Sequence, residues 1–487
     1  MTIKEKLMSM VDTSKNLRIN YIQMEKIVFT MLEDYLKRQG KTIEMHNQIK
    51  QFDALLPNGI DEYSEGIFVE LKIYRNKMAL LGVTKNLINI INELDSYRTL
   101  LLIVINELPK EIRIKIYNEA KKMNINLILW DVDQLVKMFE ENEKLFFNLY
   151  DNIDSVLLKH TINYGISKKD KIEKHIDIQN TFINSLHESY EDDDIVLFLG
   201  AGVSKDAKIA TWDELISELF VTLIDKKMQE EKINISELER DTIIKSIKGQ
   251  NANMPLLQTR YLKKGFNTTF EATISEILYK KSIKISKLLK EVSQMCIPTR
   301  NGVGIHAIIN YNFDDLIEKN LSELGIKYYS IYREGMIPDK NQLGIYHVHG
   351  FLPQKREDYN DLAESLLVFS EEGYHKLSLD PYNWANLTQL NFLTNNTCLF
   401  IGLSMTDPNL RRLLEISMFK SGDKEKCNHY AIMRRFKINS NTKSILDFEN
   451  VNEALLESFY RDLGINILWV NDYTEIPELL KKIKNNE

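Results

Sequence analysis

The first third of the chain alternates between helical and strand-like spacing of its apolar residues. Residues 24–36 carry apolar side chains at helical spacing and stop at Gly40, while 52–56 and 67–71 are short apolar runs separated by a turn-rich segment. Later patterns predict a helix, a strand, a helix and a strand at 81–94, 99–105, 111–122 and 126–130. This alternation is typical of an α/β unit.

A second alternation begins after the acidic run 191–194. A buried-type strand at 195–199 is followed by a mostly helical, lysine-rich stretch at about 215–298. Further strands are predicted at 305–311, 344–348, 397–401, 430–433 and 465–470. We expect an N-terminal α/β domain over 1–150, a helical linker over 151–190, and a Rossmann-like parallel sheet with a helical insertion over 191–487.

Composition narrows the class of protein. A chain of 487 residues exceeds the usual size of one hydrophobic core, and its net charge of -7 provides no general attraction to polyphosphate. Cys296, Cys398 and Cys427 are far apart and odd in number, so we expect neither a disulfide framework nor a zinc site. Because no apolar run reaches membrane-spanning length, we expect a cytoplasmic protein without membrane contact.

The segment IVLFLGAGVSKDAKIATWDELI joins an apolar strand to a glycine turn. Residues Gly200, Ala201, Gly202 and Ser204 lie in this turn, and a helix is predicted beyond Thr211. Glycine allows the backbone to approach a pyrophosphate, and amides at a helix N-terminus attract anions. The alternative is an ordinary tight turn. The third glycine of the GxGxxG fingerprint is replaced by lysine, so hydride transfer is disfavoured.

Two later strands end in polar residues suited to chemistry. In IINYNFDDL, a period of two predicts that Asn310, Asn312 and Asp314 share one side of the strand. In IYHVHG, the same rule places His347 and His349 together, and one histidine can serve as a base near neutral pH. Taken singly, such an asparagine is more often a turn residue, and such a histidine a structural one.

A fourth strand end, CLFIGLSMTDPNLRRLL, places Gly402 and Ser404 at the sheet edge. Asp407 is predicted to be the N-cap of the helix that follows, and an ordinary capped helix explains this residue adequately. Gly402 and Ser404 are therefore the better candidates for ligand contact.

In this order, the four motifs resemble the bacterial sirtuin-like domains of antiviral NAD-depleting effectors, from about residue 194 to the C-terminus. The resemblance implies that Asn312 and His349 cleave NAD and that Asp314 orients the ribose side. It also implies that the dinucleotide is held by Gly200, Ala201, Gly202, Ser204, Thr211, Gly402 and Ser404. Relatives usually have a glycine and a proline before the Thr-Trp pair, where this chain has Lys208 and Ala210.

The implied activity is hydrolysis of NAD, as substrate, to nicotinamide and ADP-ribose in antiphage defence by abortive infection. By the same resemblance we expect a homo-oligomer activated by a phage-derived protein or nucleic-acid trigger. Protein deacetylation is disfavoured, because the four-cysteine zinc module of typical sirtuin deacylases is missing. A nucleotide-binding assembly protein without turnover remains an alternative, although mere binding requires neither Asn312 nor His349.

The N-terminal segment FDALLPNGIDEYSEGIFVELK contains a second candidate site. Asp53 lies at the start of one predicted strand, and Glu70 and Lys72 share a face of the next, so the two carboxylates could bind Mg²⁺. Residues 20–145 resemble the PD-(D/E)xK restriction-endonuclease-like core, especially its methylation-dependent branch, whose preceding helix supplies a glutamate matched here by Glu25. A metal-dependent DNA nuclease regulated by NAD or a derivative is one alternative, and a fold retained for sensing or assembly is another.

Overall fold

The chain divides into two compact units, Met1–Asp170 and Lys171–Glu487. The computed structural model describes residues 2–12, 17–44, 52–72, 77–94, 97–105, 107–152, 158, 162, 172–233, 236, 238–239, 242–243, 245–246, 255–283, 285–298, 304–365, 367–369, 373, 377, 379–420, 429–438 and 442–485. Of the predicted linker, the part from 172 onward belongs to a helix, Ile172–Glu191. Cys427 lies outside the described residues. Within the described ranges, no helix has the length and apolarity needed to cross a membrane.

The N-terminal unit contains a four-stranded mixed sheet in the order β1-β2-β3-β4. Strand β1 is antiparallel to β2, and the remaining pairs are parallel. The strands are Ala54–Leu56, Ile67–Lys72, Thr99–Val104 and Asn126–Trp130. The helices α1 to α5 are Ile3–Asp12, Leu17–Arg38, Lys77–Glu93, Lys110–Lys122 and Val132–Glu140.

Both faces of this sheet are covered by apolar residues. Val69 of β2 packs into the core that contains Leu32 of α2, whereas its neighbour Phe68 packs into the core that contains Leu80 of α3. A strand buried on both faces needs apolar side chains on both, which explains the apolar run of β3 and of residues 67–69 in β2.

The C-terminal unit contains seven parallel strands in the order β11-β10-β9-β5-β6-β8-β7. The predicted parallel sheet is therefore confirmed. Strands β5 to β11 are Ile195–Leu199, Ile305–Asn310, Tyr328–Ile331, Leu343–His347, Thr397–Ile401, His429–Arg434 and Ile465–Val470. The sequence pattern did not predict β7, a four-residue edge strand too short to show a clear period.

Helices cover both faces of this second sheet. Leu197 of β5 points into one apolar core and the adjacent Phe198 into the other. The first core also contains Leu219, Leu262 and Ile274 from the helices inserted between β5 and β6. Helices α6 to α16 are Ile172–Glu191, Ala201–Lys205, Trp212–Glu230, Pro255–Phe266, Phe270–Tyr279, Lys287–Met295, Leu316–Glu323, Trp384–Asn395, Pro408–Lys420, Lys443–Asp462 and Ile476–Asn485.

The strand order reverses direction at β5. Strands β6, β8 and β7 lie on one side of β5, and β9, β10 and β11 lie on the other. In open α/β sheets, ligands bind beyond the carboxyl ends of the strands at such a reversal. We therefore expect a ligand-binding site at the turn after β5 and the loops after β6 and β9.

Lys208 adopts a backbone conformation that favours glycine. Its φ is +59°, and its N–H donates to the carbonyl of Lys205 at 2.9 Å where helix α7 ends. A lysine therefore occupies a left-handed turn that glycine would adopt more easily. A side chain in this conformation costs roughly 1–2 kcal/mol.

We expect Lys208→Gly to raise the free energy of unfolding of the C-terminal unit by up to about 1 kcal/mol, since relief of the left-handed strain exceeds the added backbone entropy of glycine. Urea unfolding followed by circular dichroism measures this change. Lys205→Gly is the matched control: it replaces the exposed last residue of α7 and should destabilise by up to about 1 kcal/mol. Equal destabilisation by both variants would contradict the explanation.

Candidate active site

The turns after β5 and β9 pack directly against each other. The N–H of Gly200 donates to Ile401 O at 3.0 Å, and the N–H of Gly202 donates to Gly402 O at 2.9 Å. A Cβ at Gly202 would lie 2.7 Å from the Cα of Gly402, and one at Gly200 would lie 2.6 Å from the Gly402 carbonyl oxygen. Contact between two main chains is thus sufficient to require glycine at these positions, without the pyrophosphate invoked from the sequence.

The other residues predicted to hold the dinucleotide occupy varied surroundings. Ala201 and Ser404 are exposed, and the Ser404 hydroxyl lies 2.7 Å from that of Thr406. Both N–H and hydroxyl of Thr211 donate to Oε2 of Glu214, at 2.8 and 2.9 Å, where helix α8 begins. Thr211 therefore has a helix-capping role, and the dinucleotide contacts of all three residues stay predictions.

The side chain of Asn312 is buried in the loop after β6 and points to the glycine turn. Its Nδ2 donates to Gly200 O at 3.0 Å and lies 3.3 Å from the Ser204 hydroxyl. A main-chain carbonyl only accepts hydrogen bonds, so the amide nitrogen must face Gly200. Oδ1 is consequently the atom of Asn312 that remains to accept a hydrogen bond from a ligand or water.

Ser204 connects Asn312 to Asp314. Its buried hydroxyl donates to Asp314 Oδ1 at 3.2 Å, and the same oxygen accepts the N–H of Leu316 at 3.1 Å. Burial raises the pKa of Asp314 to about 6, although these two hydrogen bonds oppose the shift. In the structure Asp314 thus organises the loop and the start of helix α12; its role toward the ribose stays a prediction.

We predicted a common side for Asn310, Asn312 and Asp314 from strand alternation, and that reason was wrong. Strand β6 ends at Asn310, so alternation does not extend to the other two residues. Instead, Asn310 Oδ1 accepts the N–H of Asn312 at 3.1 Å, and the loop carries Asn312 and Asp314 to Ser204.

His349 lies in the loop after β8, beside the ring of Tyr311 and the carboxylate of Asp407. The ring centroids of His349 and Tyr311 are 4.3 Å apart, and His349 Nε2 lies 3.5 Å from Asp407 Oδ2. Burial lowers the pKa of His349, and the negative charge of Asp407 partly opposes this shift. The imidazole is therefore neutral at neutral pH, which is the state a general base needs.

The two histidines contact different groups, contrary to the prediction that they share a side. Strand β8 ends at His347, so the period of two does not reach His349. His347 Nε2 lies 2.6 Å from Oε1 of Glu318 on helix α12, whereas His349 faces Tyr311 and Asp407.

Asp407 contacts the candidate site, although the sequence predicted only an N-cap at this position. Its Oδ1 does accept the N–H of Leu410 at 2.7 Å, as a cap should, but its Oδ2 faces His349. Strands β9 and β8 are three positions apart in the sheet, a distance of about 14 Å at the usual strand spacing. The loops after β9 and β8 must therefore approach each other above the ends of β5 and β6, which closes one side of the site.

In the N-terminal unit, the structure brings Asp53, Glu70 and Lys72 together. The N–H of Asp53 donates to Glu70 Oε2 at 3.2 Å, the N–H of Leu71 donates to Asp53 Oδ2 at 2.8 Å, and Lys72 forms an ion pair with Glu70. Burial, followed by repulsion from Asp53, raises the pKa of Glu70 to about 7, and burial also raises the pKa of Asp53.

Glu25 lies on helix α2 and does not complete a third ligand. No group of three or more histidine, cysteine or acidic side chains is arranged to hold a metal ion in the parts of the chain that the structure describes. Among the acidic side chains that the structure describes, Asp53 and Glu70 are therefore the two candidate ligands of the predicted metal site.

Part of the C-terminal unit matches a known protein family. Residues 306–456 match the family model of the SIR2-like domain. The matched segment includes the loops that carry Asn312, His349 and Asp407.

Three relatives are proteins named NAD(+) hydrolase ThsA. The one from Enterococcus faecium is 24% identical over 318 residues, covering 63% of this chain and 58% of the relative. The one from Bacillus cereus (strain MSX-D12) is 29% identical over 189 residues, which is 37% of each protein. The one from Cytobacillus dafuensis is 24% identical over 315 residues, covering 62% of this chain and 54% of the relative. The alignments thus span about half of each relative or less, apart from 58% in the first.

We expect Asp407→Asn to lower the pKa of His349 further, because the substitution removes a negative charge that raises it. Asparagine is also a good N-cap, so helix α14 should be preserved. NMR titration of histidine-labelled protein measures this pKa. Asp472→Asn, at another aspartate that accepts a capping hydrogen bond, is the matched control and should leave the pKa of His349 unchanged. An unchanged or higher pKa in Asp407→Asn would rule out the electrostatic coupling.

Proposed function

We propose that the C-terminal unit hydrolyses NAD to nicotinamide and ADP-ribose. The observation that carries the proposal is the anchored amide of Asn312, which leaves Oδ1 as an acceptor at the same sheet edge as the neutral imidazole of His349. The SIR2-like domain and the names of the ThsA relatives support this reaction.

The chemistry follows from the two side chains. The bond between the ribose C1′ and the nicotinamide nitrogen breaks, and its electron pair leaves with nicotinamide, so the ribose gains oxocarbenium character. Oδ1 of Asn312 accepts a hydrogen bond from a water and holds it near C1′. His349 accepts the proton released as the water oxygen bonds to C1′.

Asp407 completes this arrangement as the partner of the protonated base. Its Oδ2, 3.5 Å from His349 Nε2, stabilises the imidazolium that forms when His349 takes the proton. In the resting state, burial outweighs this attraction and keeps the ring neutral. The pair therefore supports proton uptake during the reaction without protonating the base beforehand.

The biological role that we propose is depletion of cytoplasmic NAD in antiphage defence by abortive infection. It rests on the resemblance of the four motifs to antiviral effectors. Since unregulated NAD loss would kill the host, we expect the activity to be held in a homo-oligomer and released by a phage-derived protein or nucleic-acid trigger. An assembly protein without turnover explains the site less well, because binding alone requires no neutral histidine paired with an aspartate.

Purified protein with NAD and lysate of infected cells as a source of the trigger should release nicotinamide, and Asn312→Ala or His349→Ala should each reduce the rate by at least about 100-fold. Mass analysis of the adenine-containing product separates linear from cyclic ADP-ribose. His306→Ala and Asn391→Ala, which replace exposed residues of the same types, should retain full activity. Undiminished release from both site variants would refute the assignment.

A second candidate function is a metal-dependent nuclease in the N-terminal unit. The specific observation is the pair of carboxylates of the half-buried Asp53 and the buried Glu70. Burial raises both pKa values, and repulsion from Asp53 raises that of Glu70 further, which a divalent cation would relieve. Mg²⁺ is commonly bound by one or two carboxylates together with water and phosphate oxygens, so this donor set fits it. Bound there, Mg²⁺ would activate a water toward a DNA phosphate, and Lys72 would stabilise the developing charge.

We expect magnesium-dependent nicking of plasmid DNA that Lys72→Ala removes, because the ammonium lies at the two carboxylates. Gel electrophoresis of the plasmid with and without Mg²⁺ measures the activity. Lys110→Ala, at an exposed lysine of α4, is the control and should retain nicking. No nicking under conditions in which NAD is hydrolysed would favour a sensing or assembly role for this unit.

A further inference from the structure

Behind Asn312 lies a buried pair of ionisable side chains, His347 and Glu318, that the proposed reaction does not use. The His347 side chain is fully buried and that of Glu318 is 1% exposed, and His347 Nε2 lies 2.6 Å from Glu318 Oε1. On its other side, His347 Nδ1 lies 3.3 Å from the main-chain carbonyl oxygen of Asn312. The imidazole thus bridges helix α12 and the main chain of the predicted catalytic residue.

The identity of the acceptors determines where the protons lie. A carbonyl oxygen only accepts, so Nδ1 of His347 must carry a proton to bond with Asn312. The short contact of Nε2 with Glu318 also requires a proton between those two atoms, because two lone pairs at 2.6 Å would repel. Glu318 Oε1 further accepts the hydroxyl of Ser330 at 3.0 Å. This arrangement holds the Nδ1 proton toward Asn312.

We propose that His347, held by Glu318, is a positioning residue for Asn312, a role that rests on the proposed NAD hydrolysis. Through this contact, Asn312 is constrained at three points. Its N–H donates to Asn310 Oδ1, its side-chain amide donates to Gly200 O, and its carbonyl accepts from His347. Loss of the third constraint lets the peptide rotate, and Oδ1 then moves relative to the reacting carbon.

The same imidazole also supports the loop that carries His349. The Phe351 ring packs on His347 with centroids 4.0 Å apart and the planes tilted by 34°. Phe351 follows His349 by two residues, and His347 precedes it by two. One buried ring therefore contacts both predicted catalytic loops, one through a hydrogen bond and the other through packing. Rates depend steeply on such placement, since a misplacement of about 1 Å can cost on the order of 100-fold.

Two substitutions separate the hydrogen bond to Asn312 from simple filling of space. In His347→Asn, the amide nitrogen can take the place of Nδ1 and still donate to the Asn312 carbonyl. In His347→Gln, the amide reaches the place of Nε2, so contact with Glu318 is kept and the donor to Asn312 is lost. His306→Gln, at an exposed histidine of β6, is the control.

We expect kcat for NAD hydrolysis to fall by roughly 10- to 100-fold in His347→Gln with little change in KM, as is typical when the partner of a site residue is removed. His347→Asn should retain kcat within about threefold of the parent, and His306→Gln should match the parent. Thermal unfolding shows whether each variant is folded. Folded Gln and Asn variants with equal kcat, whether both high or both low, would overturn the proposal.

A measurement without NAD keeps this inference separate from the proposed function. Proton NMR of ¹⁵N-histidine-labelled protein should show a downfield, slowly exchanging Nδ1–H signal that disappears in His347→Gln and His347→Asn but persists in His306→Gln. If the parent hydrolyses no NAD with any trigger but shows this signal, the proposed function fails and the contact to Asn312 stands. Absence of the signal from the folded parent overturns the positioning role even if NAD is hydrolysed.

Discussion

The candidate site depends on one main-chain contact, the packing of the Gly200–Gly202 turn against Gly402. The hydrogen bonds from Gly200 to Ile401 and from Gly202 to Gly402 join the ends of two adjacent parallel strands so closely that no Cβ fits between them. This contact determines the direction of the Gly200 carbonyl, and that carbonyl orients the amide of Asn312. Glycine-rich turns of this kind are usually associated with phosphate binding. Here the turn first serves to fix the orientation of the Asn312 side chain.

Burial is the main cause of the shifted pKa values at the candidate site, and it raises the pKa of acids but lowers that of bases. The pKa of Asp314 is raised from 3.8 to about 6, so the folded state binds a proton more readily than the unfolded state, and this contribution to stability is lost as pH rises between these values. The pKa of His349 is lowered below 6.5, so its contribution to stability is present above pH 6.5 and is lost as pH falls from 6.5 through the lowered pKa of the folded state. A site that keeps its histidine neutral therefore also tends to keep a nearby buried carboxyl protonated in mildly acidic solution.

The sequence predicted the strands and the polar residues at their ends, but it did not predict contacts between loops that are distant in sequence. Apolar runs located the strands, and glycines and polar strand ends marked the edge where Asn312 and His349 lie, because these signals arise from neighbouring residues. The pairing of His349 with Asp407 joins loops that are far apart in sequence, and no local pattern contains it. The period-two rule failed at Asp314 and His349 for a physical reason: pleated alternation ends with the strand, at Asn310 and His347 respectively. The left-handed backbone at Lys208 could not be predicted either, because lysine has no preference for that conformation.

Strand register is what connects the two loops into a single site. Asn310 of β6 and His347 of β8 are paired residues, so the loops that follow begin at the same level of the sheet edge. Asn312 and His349 each come two residues later, and the N–H of Val348 donates back to Asn310 O at 3.2 Å, which continues the pairing one step beyond the strands. A slip of one residue would turn His347 to the opposite face, away from Glu318, and would break its contact with the Asn312 carbonyl. The contact of the buried His347 with Asn312 therefore depends on the same strand register that aligns the two loops of the candidate site.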